Sequence, residues 1–290
     1  MYKRQVFGHE EIIRNAYRVS YPFVNGRPLR TSGDLRACYL DFLADHQPYM
    51  PVNRGDDVFV TDEATEDALV AAYGHNATLN DLGQSEIIGA AYPGLVKAEK
   101  IALARAALET FLGLDELLAA VFDLTIHSIV VRPSNRLAGR ASYGGSSSAA
   151  MGTIWLALGP GVSQVDVVEM LLHELTHHLL FLDERNHAHF DYEHIAGERN
   201  RAFSAILNMI RPIDKVVHSV VVATELVLGR RTFLRDDRPR VVHPSSEKMI
   251  ADAQQSYASV SALEHADLVL RPRTRHILDR CRDACAAAVC

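Results

Sequence analysis

One short motif constrains the fold of this chain more than any other feature. His173 and His177 lie four residues apart, and Glu174 directly follows the first histidine. Residues four apart on an α-helix lie one turn above each other on the same face, so both imidazoles can reach one metal ion. Residues 165–182 contain no glycine or proline, and leucines flank the motif on both sides. The pattern therefore predicts a buried helix over residues 165–182 that carries an HExxH metal site.

The residues around the motif support this interpretation. Ser163 and Asp166 stand three residues apart, the spacing of a capping box at the start of a helix. His178 points about 100° away from His177 around the helix, which predicts a position beside the site or at the surface. The alternative is an amphipathic helix whose histidines only lie at the edge of a core. The capping signals and the apolar flanks favour the metal site.

The composition excludes several classes of protein. The chain has 290 residues, 48% hydrophobic and 23% charged, with a net charge of -6. Such an acidic chain lacks the basic surface that phosphate binding needs, and no apolar run reaches membrane-spanning length. The four cysteines form neither a disulfide framework nor a zinc-type pair. We therefore expect a cytoplasmic protein with reduced thiols that binds neither nucleic acid nor membrane.

Helical patterns dominate the first part of the chain, and β-branched segments follow it. In the first part, a short strand is predicted at 57–60, and helices are predicted at 34–45, 62–73, 94–112 and 115–122. Strands are predicted at 125–131 and 151–158, separated by a glycine- and serine-rich loop at 132–148. That loop is either a mobile active-site loop or a flexible linker.

Four more helices are predicted after the motif, at 192–210, 212–228, 246–265 and 273–289. We predict an α+β, mostly helical fold, with a zincin-like HExxH helix and a small sheet. A helical N-terminal lobe (residues 1–123) and an HExxH metal-binding catalytic domain (residues 124–290) would form one compact unit. Alanine-rich helices could form a homodimer interface or simply pack closely.

An HExxH pair holds a metal incompletely, so a third protein ligand must come from elsewhere. Glu198, on the predicted helix after the motif, would complete the ligand set of a hydrolytic zinc enzyme, with Glu174 as the general base. His218 is the other candidate, because an imidazole inside an apolar helix needs a partner, either a metal or another core group. We expect the histidines of the intervening polar loop to face solvent: His187, His189 and His194.

Arg211 adds a second argument for His218. It lies seven residues earlier, on roughly the same face of a helix and about 10 Å along its axis. Arginine binds carboxylates bidentately, and a metal with open positions can chelate a 2-oxo acid. This pair would suit a dicarboxylate that bridges the metal and the guanidinium. Glu225, seven residues after His218, could orient a ligand.

The segment from Arg211-Pro212 to His218, downstream of a leucine-flanked HExxH, resembles the HExxH-motif domain of bacterial peptide-modification and natural-product pathways. The resemblance covers about residues 130–280, and residues 268–278 loosely resemble the closing helix of that domain. Some members of the family are non-haem iron, 2-oxoglutarate-dependent β-hydroxylases of peptide side chains.

The resemblance implies an Fe(II)- and 2-oxoglutarate-dependent dioxygenase that hydroxylates an amino-acid side chain. Its iron ligands would be His173, His177 and His218. Arg211 would anchor 2-oxoglutarate, and Glu174 would position groups around the metal or the substrate. The substrate would be a peptide, a carrier-bound amino acid or a free one. Two alternatives stay open: a zinc metallopeptidase with Glu174 as base, and a non-enzymatic metal site that joins two helices.

Overall fold

The computed structural model describes residues 6–75, 84–135, 142–195 and 197–289. Within these residues the fold is α+β and mostly helical, as predicted, and it divides into two compact units. The N-terminal unit is Glu10–Leu182. The C-terminal unit comprises the described residues within Met1–His9 and Asp183–Cys290. Because this division follows spatial contacts and not independent folding, the predicted lobe (1–123) and catalytic domain (124–290) stay predictions.

Helices make up most of the N-terminal unit, and local signals explain where several of them begin. Thr31, Asp62 and Asp115 each cap a helix by accepting a hydrogen bond from a backbone N–H of its first turn. The helices are α1 (His9–Ser20), α2 (Ser32–His46), α3 (Glu63–Ala72), α4 (Gln84–Ile87), α5 (Gly94–Leu112), α6 (Glu116–Thr125) and α7 (Gln164–Glu184). The four helices predicted before residue 123 are confirmed, and so is the motif helix.

A three-stranded sheet lies in the same unit, in the order β1-β3-β2. β1 (Ser128–Val131) runs parallel to β3 (Thr153–Leu156), and β2 (Gly144–Gly145) pairs antiparallel with β3 at the edge. Every residue of β1 and β3 is buried, as expected for strands covered on both faces. The strands predicted at 125–131 and 151–158 are confirmed with shorter bounds.

Two segments of this unit differ from the sequence prediction. The predicted strand at 57–60 forms only an isolated parallel bridge, between Phe59 and Ile129. In the predicted loop at 132–148, residues 144–145 form the edge strand β2, whereas residues 136–141 lie outside the described residues. Residues 144–145 of this loop are therefore tied to the sheet.

The C-terminal unit combines a β-hairpin with a helical core. β4 (Arg201–Ser204) pairs antiparallel with β5 (Met209–Pro212), and α8 (Ile213–Gly229) follows directly. α8 packs against α9 (Ser246–Ser261) and α11 (Pro272–Val289), with the short α10 (Ala266–Val269) between them in the chain. The helices predicted at 212–228 and 273–289 are confirmed, and the one predicted at 246–265 ends earlier.

The helix predicted at 192–210 is wrong. This segment contains a 3₁₀ turn (Glu198–Asn200) followed by the β4–β5 hairpin. Ala202 and Ser204 are buried whereas Arg201 is exposed, the two-residue alternation of a strand packed on one side. Asn208, with φ +51°, closes the turn in the left-handed region that asparagine tolerates.

Among the described residues, no helix is both long and apolar enough to cross a membrane.

Candidate metal centre

The motif helix α7 begins at a reciprocal capping box. The Asp166 N–H donates to Ser163 Oγ (3.2 Å), and the Ser163 N–H donates to Asp166 Oδ2 (2.9 Å). This pair satisfies two backbone donors that the first turn of a helix leaves without partners. Leu171, Leu175 and Leu179 are buried along the helix. The predicted start and burial of the helix are confirmed.

Three motif side chains converge on one point. His173, Glu174 and His177 each offer a ligand atom, and these atoms all lie within 4.8 Å of one another. The two imidazole rings have centroids 5.1 Å apart, and the His173 side chain is 31% exposed. Two imidazole nitrogens beside a carboxylate oxygen are a donor set that suits Zn²⁺ or Fe²⁺. The residues therefore fit a divalent metal that is reached from solvent.

Glu174 is held by the edge strand and the residue after it. Ser146 Oγ donates to Glu174 Oε2 (2.8 Å), and a Cβ at Gly144 would lie 3.4 Å from Glu174 Oε1. Burial raises the pKa of Glu174 to about 8, and the hydrogen bond from Ser146 acts in the opposite direction. The carboxyl group beside the two histidines is therefore one that can hold a proton near neutral pH.

His178 anchors the motif helix to the sheet. It is buried, its Nδ1 accepts a hydrogen bond from the Gly152 N–H (3.1 Å), and its Nε2 donates to the Thr153 carbonyl (3.0 Å). Burial lowers its pKa to about 4, so the ring is neutral. The expectation that His178 does not share the metal agrees with these bonds, but a surface position is wrong. Its anchoring fixes the rotation of α7, which leaves His177 on another face.

The candidate third ligands belong to the C-terminal unit. Glu198 is the exposed first residue of a 3₁₀ turn, so the premise that it lies on the next helix is wrong. His218 lies on α8, as predicted, and is buried. Its Nε2 is 3.8 Å from Glu184 Oε1, and burial lowers its pKa to about 3. Neither assignment as a metal ligand is tested by these positions, and both stay predictions.

Arg211 lies in β5, opposite Ala202, and not in α8. The helical spacing that placed it on the same face as His218 therefore does not apply, because the helix begins only at Ile213. Its role as an anchor for 2-oxoglutarate stays a prediction without that geometric support. Glu225 does share α8 with His218 and is fully buried.

Sequence reasoning missed a buried polar cluster in the C-terminal unit. It comprises Asp183, Glu184, His189, His218 and Arg273, and it is called the Glu184 cluster below. His189 was expected to face solvent, which is wrong because its side chain is fully buried. The side chain of His194, in contrast, is 55% exposed, as expected. Two successive acids at the end of an apolar helix were the sequence signal, but charged helix ends are usually solvated.

The comparisons with known proteins do not assign this chain to a family. No family model matches the sequence, and no curated protein matches it significantly. The resemblance to the HExxH-motif domain family therefore stays a prediction.

Proposed function

We propose that this protein is a metal-dependent enzyme whose metal is bound by His173 and His177. The observation that carries the proposal is the convergence of both imidazoles and the Glu174 carboxylate within 4.8 Å on one helix. The exposed fraction of His173 leaves room for further ligands to approach. Sites of this type usually keep a coordination position open for chemistry, whereas structural sites are closed by four protein ligands.

For the chemistry, we propose a non-haem iron, 2-oxoglutarate-dependent oxygenase that hydroxylates an amino-acid side chain. The support is the sequence resemblance, in which Arg211-Pro212 precedes an apolar helix that carries His218. When bound, ferrous iron would let O₂ act as the oxidant: one oxygen atom would convert 2-oxoglutarate to succinate and CO₂, and the other would hydroxylate an unactivated carbon. His218 would be the third ligand, and the Arg211 guanidinium would bind the distal carboxylate of 2-oxoglutarate.

Side chains of the protein would then orient the metal and position the substrate or water. His173 and His177 orient the metal, and their ring positions follow from the rotation that His178 imposes on α7. Glu174, held by Ser146, would position substrate or water beside the metal without binding it. We also propose that the order of strand, Gly159-Pro160-Gly161 turn and motif helix is that of a zincin-like fold.

A zinc hydrolase is the second candidate, and one observation favours it. Glu174 is buried beside the ligand pair and is held by the hydrogen bond from Ser146, so its carboxylate lies where a general base is needed. Zinc, when bound, would act as a Lewis acid, and Glu174 would take a proton from the attacking water. In that case Glu198 is the proposed third ligand.

One anaerobic experiment separates the two candidates. Apo-protein is reconstituted with Fe²⁺, 2-oxoglutarate is added, and the visible metal-to-ligand charge-transfer band is recorded. We expect the band in the wild type, its loss in His173→Ala, and weaker 2-oxoglutarate binding in Arg211→Ala but not in Arg199→Ala, an exposed control. No band, together with tightly held zinc in the isolated protein, would instead support hydrolysis.

The substrate class and location follow from the same proposal. We propose an amino-acid side chain in a peptide, on a carrier or in a free amino acid, and a cytoplasmic enzyme that can form homodimers. Cys38, Cys281 and Cys285 are free and buried thiols, which suits a reducing compartment, while Cys290 lies outside the described residues.

A further inference from the structure

One side of α1, within the N-terminal unit, exposes arginine and tyrosine side chains in alternation. These exposed side chains recur every three or four residues: Arg14, Tyr17, Arg18 and Tyr21. Such spacing places side chains on the same face of a helix. Tyr21 directly follows α1 and remains part of the helical path, because Ser20 before it keeps right-handed helical angles (φ −83°, ψ −18°). The four side chains therefore form one continuous surface, called the α1 face below.

The composition of this part of the chain is that of a protein interface. Residues 12–33 contain four arginines and no lysine, aspartate or glutamate, although the whole chain has a net charge of -6. Interfaces are enriched in tyrosine and arginine, and depleted in lysine, aspartate and glutamate, relative to other protein surfaces. The acidic residues of α1, Glu10 and Glu11, lie in its first turn, before the α1 face begins. Arg14 and Arg18 therefore make this face locally basic.

The two tyrosine rings are presented on a well-packed helix. Tyr17 and Tyr21 are 42% and 63% exposed, with ring centroids 5.8 Å apart. On the opposite side of α1, Ile12 and Ala16 are buried, and the buried Ser20 hydroxyl donates to the Ala16 carbonyl (2.6 Å). Tyrosine gives a large contact area at a low cost in side-chain entropy. A partner that binds these rings therefore meets a surface that is already ordered.

We propose that the α1 face docks an acidic peptide segment. Arginine guanidinium groups bind carboxylates bidentately, and tyrosine rings bury apolar area while their hydroxyls stay in water. The peptide would therefore carry glutamate or aspartate next to apolar side chains. The inference rests on the proposed function in taking a peptide as the substrate, but it concerns docking alone and requires no metal.

The α1 face fits other occupants less well. Binding of single-stranded nucleic acid uses a basic groove that follows the backbone, whereas this face is one side of a helix with two arginines. Membrane-surface helices insert residues such as tryptophan, phenylalanine and leucine, whereas the exposed large hydrophobic side chains of residues 9–30 are both tyrosines. A two-fold dimer through this face would place arginines against arginines.

The test measures binding of a fluorescein-labelled peptide of glutamate, leucine and glycine by fluorescence anisotropy. The control peptide has glutamine at each glutamate position. We expect the acidic peptide to bind the wild-type protein, and to bind less tightly as salt is added, because salt screens exposed charges. The glutamine peptide should bind at least about tenfold more weakly, since it lacks the charges that complement the arginines.

Substitutions on the α1 face test where the peptide binds. We expect Tyr21→Ala to weaken binding about tenfold and Arg18→Gln about fivefold, as for central interface residues. Arg199→Gln removes an exposed arginine of the C-terminal unit and should change binding less than about twofold. The double variant Arg14→Glu/Arg18→Glu should lose the acidic peptide and bind a lysine-containing version instead, a reversal that unfolding cannot produce.

The outcomes separate docking from the proposed chemistry. If the acidic peptide does not bind the wild type, or binds every variant equally, the docking proposal fails, whether or not the charge-transfer band forms. If docking behaves as expected but the protein holds neither iron nor zinc, the proposed function fails and docking stands. Tighter binding of oligothymidylate or of phosphatidylserine vesicles, lost in Arg18→Gln, would overturn the peptide as occupant. A dimer in sedimentation that Arg18→Gln dissociates would assign the face to a second copy.

Discussion

The motif site on α7 and the Glu184 cluster use the same residue types in opposite surroundings. At the motif site the His173 side chain is 31% exposed, and the two histidines share one helix face. In the Glu184 cluster, His189 is fully buried and His218 is 8% exposed, among carboxylates that are almost wholly buried. A partly exposed pair can exchange ligands with solvent, whereas a buried cluster holds its members in fixed positions.

This difference in exposure predicts different effects of substitution in the two regions. Removing a ligand from an accessible site costs bound metal but leaves little buried polarity without a partner. Removing a partner from a buried charge cluster leaves an uncompensated charge, which costs free energy of folding. We therefore expect changes at the motif site to act on metal binding and changes in the Glu184 cluster to act first on stability.

The largest expected effect is on metal binding at the motif site. His173→Ala removes one of two imidazoles that face the metal, so we expect Fe²⁺ and Zn²⁺ affinity to fall by about a thousandfold or more, which corresponds to about 4 kcal/mol. Metal content after dialysis and chelator competition measure it. His194→Ala is the control, because that side chain is 55% exposed and paired with Asp191. Equal metal retention in both variants would exclude the motif site.

The second-largest expected effect is a loss of stability in the Glu184 cluster. Arg273→Ala leaves the fully buried Asp183 carboxylate with His189 but without its guanidinium. Breaking such a pair should lower the free energy of unfolding by about 3 kcal/mol. Urea denaturation measures this loss. Arg271→Ala is the control, since its ion pair with Asp191 is partly exposed and should contribute less than about 1 kcal/mol.

The Asp183 carboxylate also predicts how this effect depends on pH. Burial raises its pKa, but hydrogen bonds from His189 and Arg273 outweigh burial and hold the pKa well below the usual value. A lowered carboxyl pKa contributes stability above the pKa of the unfolded chain, and that stability is lost as the pH falls through the folded value. The destabilisation by Arg273→Ala should therefore be largest near neutral pH. An equal effect at pH 7 and pH 2 would contradict this.

A third effect tests how the motif helix is supported. Gly152 has φ +84°, and a Cβ there would overlap His127 Cδ2. We expect Gly152→Ala to destabilise the protein by about 2–4 kcal/mol, through backbone strain and overlap with a buried ring. The Gly152 N–H to His178 bond should loosen as well. Gly159→Ala, which meets no atom within 4 Å, should change the unfolding free energy by less than about 0.5 kcal/mol.

The motif site was largely predictable from sequence because its chemistry is local. Four-residue spacing, a capping box and uninterrupted apolar flanks are all properties of one helix. The helix predicted at 94–112 was found as Gly94–Leu112 for a similar reason, since Pro93 and Gly113 bound it. Helix propensity and breakers are enough where a segment's neighbours along the chain determine its structure.

The β4–β5 hairpin and the Glu184 cluster were missed because their structure depends on distant residues. The hairpin is held by α9, whose Ser259 and Ser256 hydroxyls accept the N–H groups of Phe203 and Ala205. In the Glu184 cluster, Asp183 and Arg273 are 90 positions apart. No periodicity within either segment encodes such contacts, so a helical composition at 192–210 gave a wrong helix.

The smallest expected effect concerns buried histidines with a lowered pKa, which occur near the motif helix and in the Glu184 cluster. Burial lowers the pKa of His127 beside the motif helix to about 3, and it lowers that of His218 in the Glu184 cluster to the same value. A histidine whose pKa is depressed on folding binds fewer protons when folded, so stability is lost as the pH falls below about 6.5, the ordinary value. Each such group contributes a slope of up to about 1.4 kcal/mol per pH unit between that value and the folded pKa.

His127→Asn isolates one of these slopes. The amide oxygen can replace Nδ1, which accepts a hydrogen bond from the Asn53 N–H (3.3 Å), but it does not titrate. The free energy of unfolding, measured in urea from pH 7 to pH 4.5, should fall less steeply in this variant than in the wild type. The slope should be smaller by up to the contribution of one proton, about 1.4 kcal/mol per pH unit. His194→Asn should leave the slope unchanged. If both variants follow the wild-type curve, protonation of His127 does not limit acid stability, and the buried His178 and His218 become the groups to replace next.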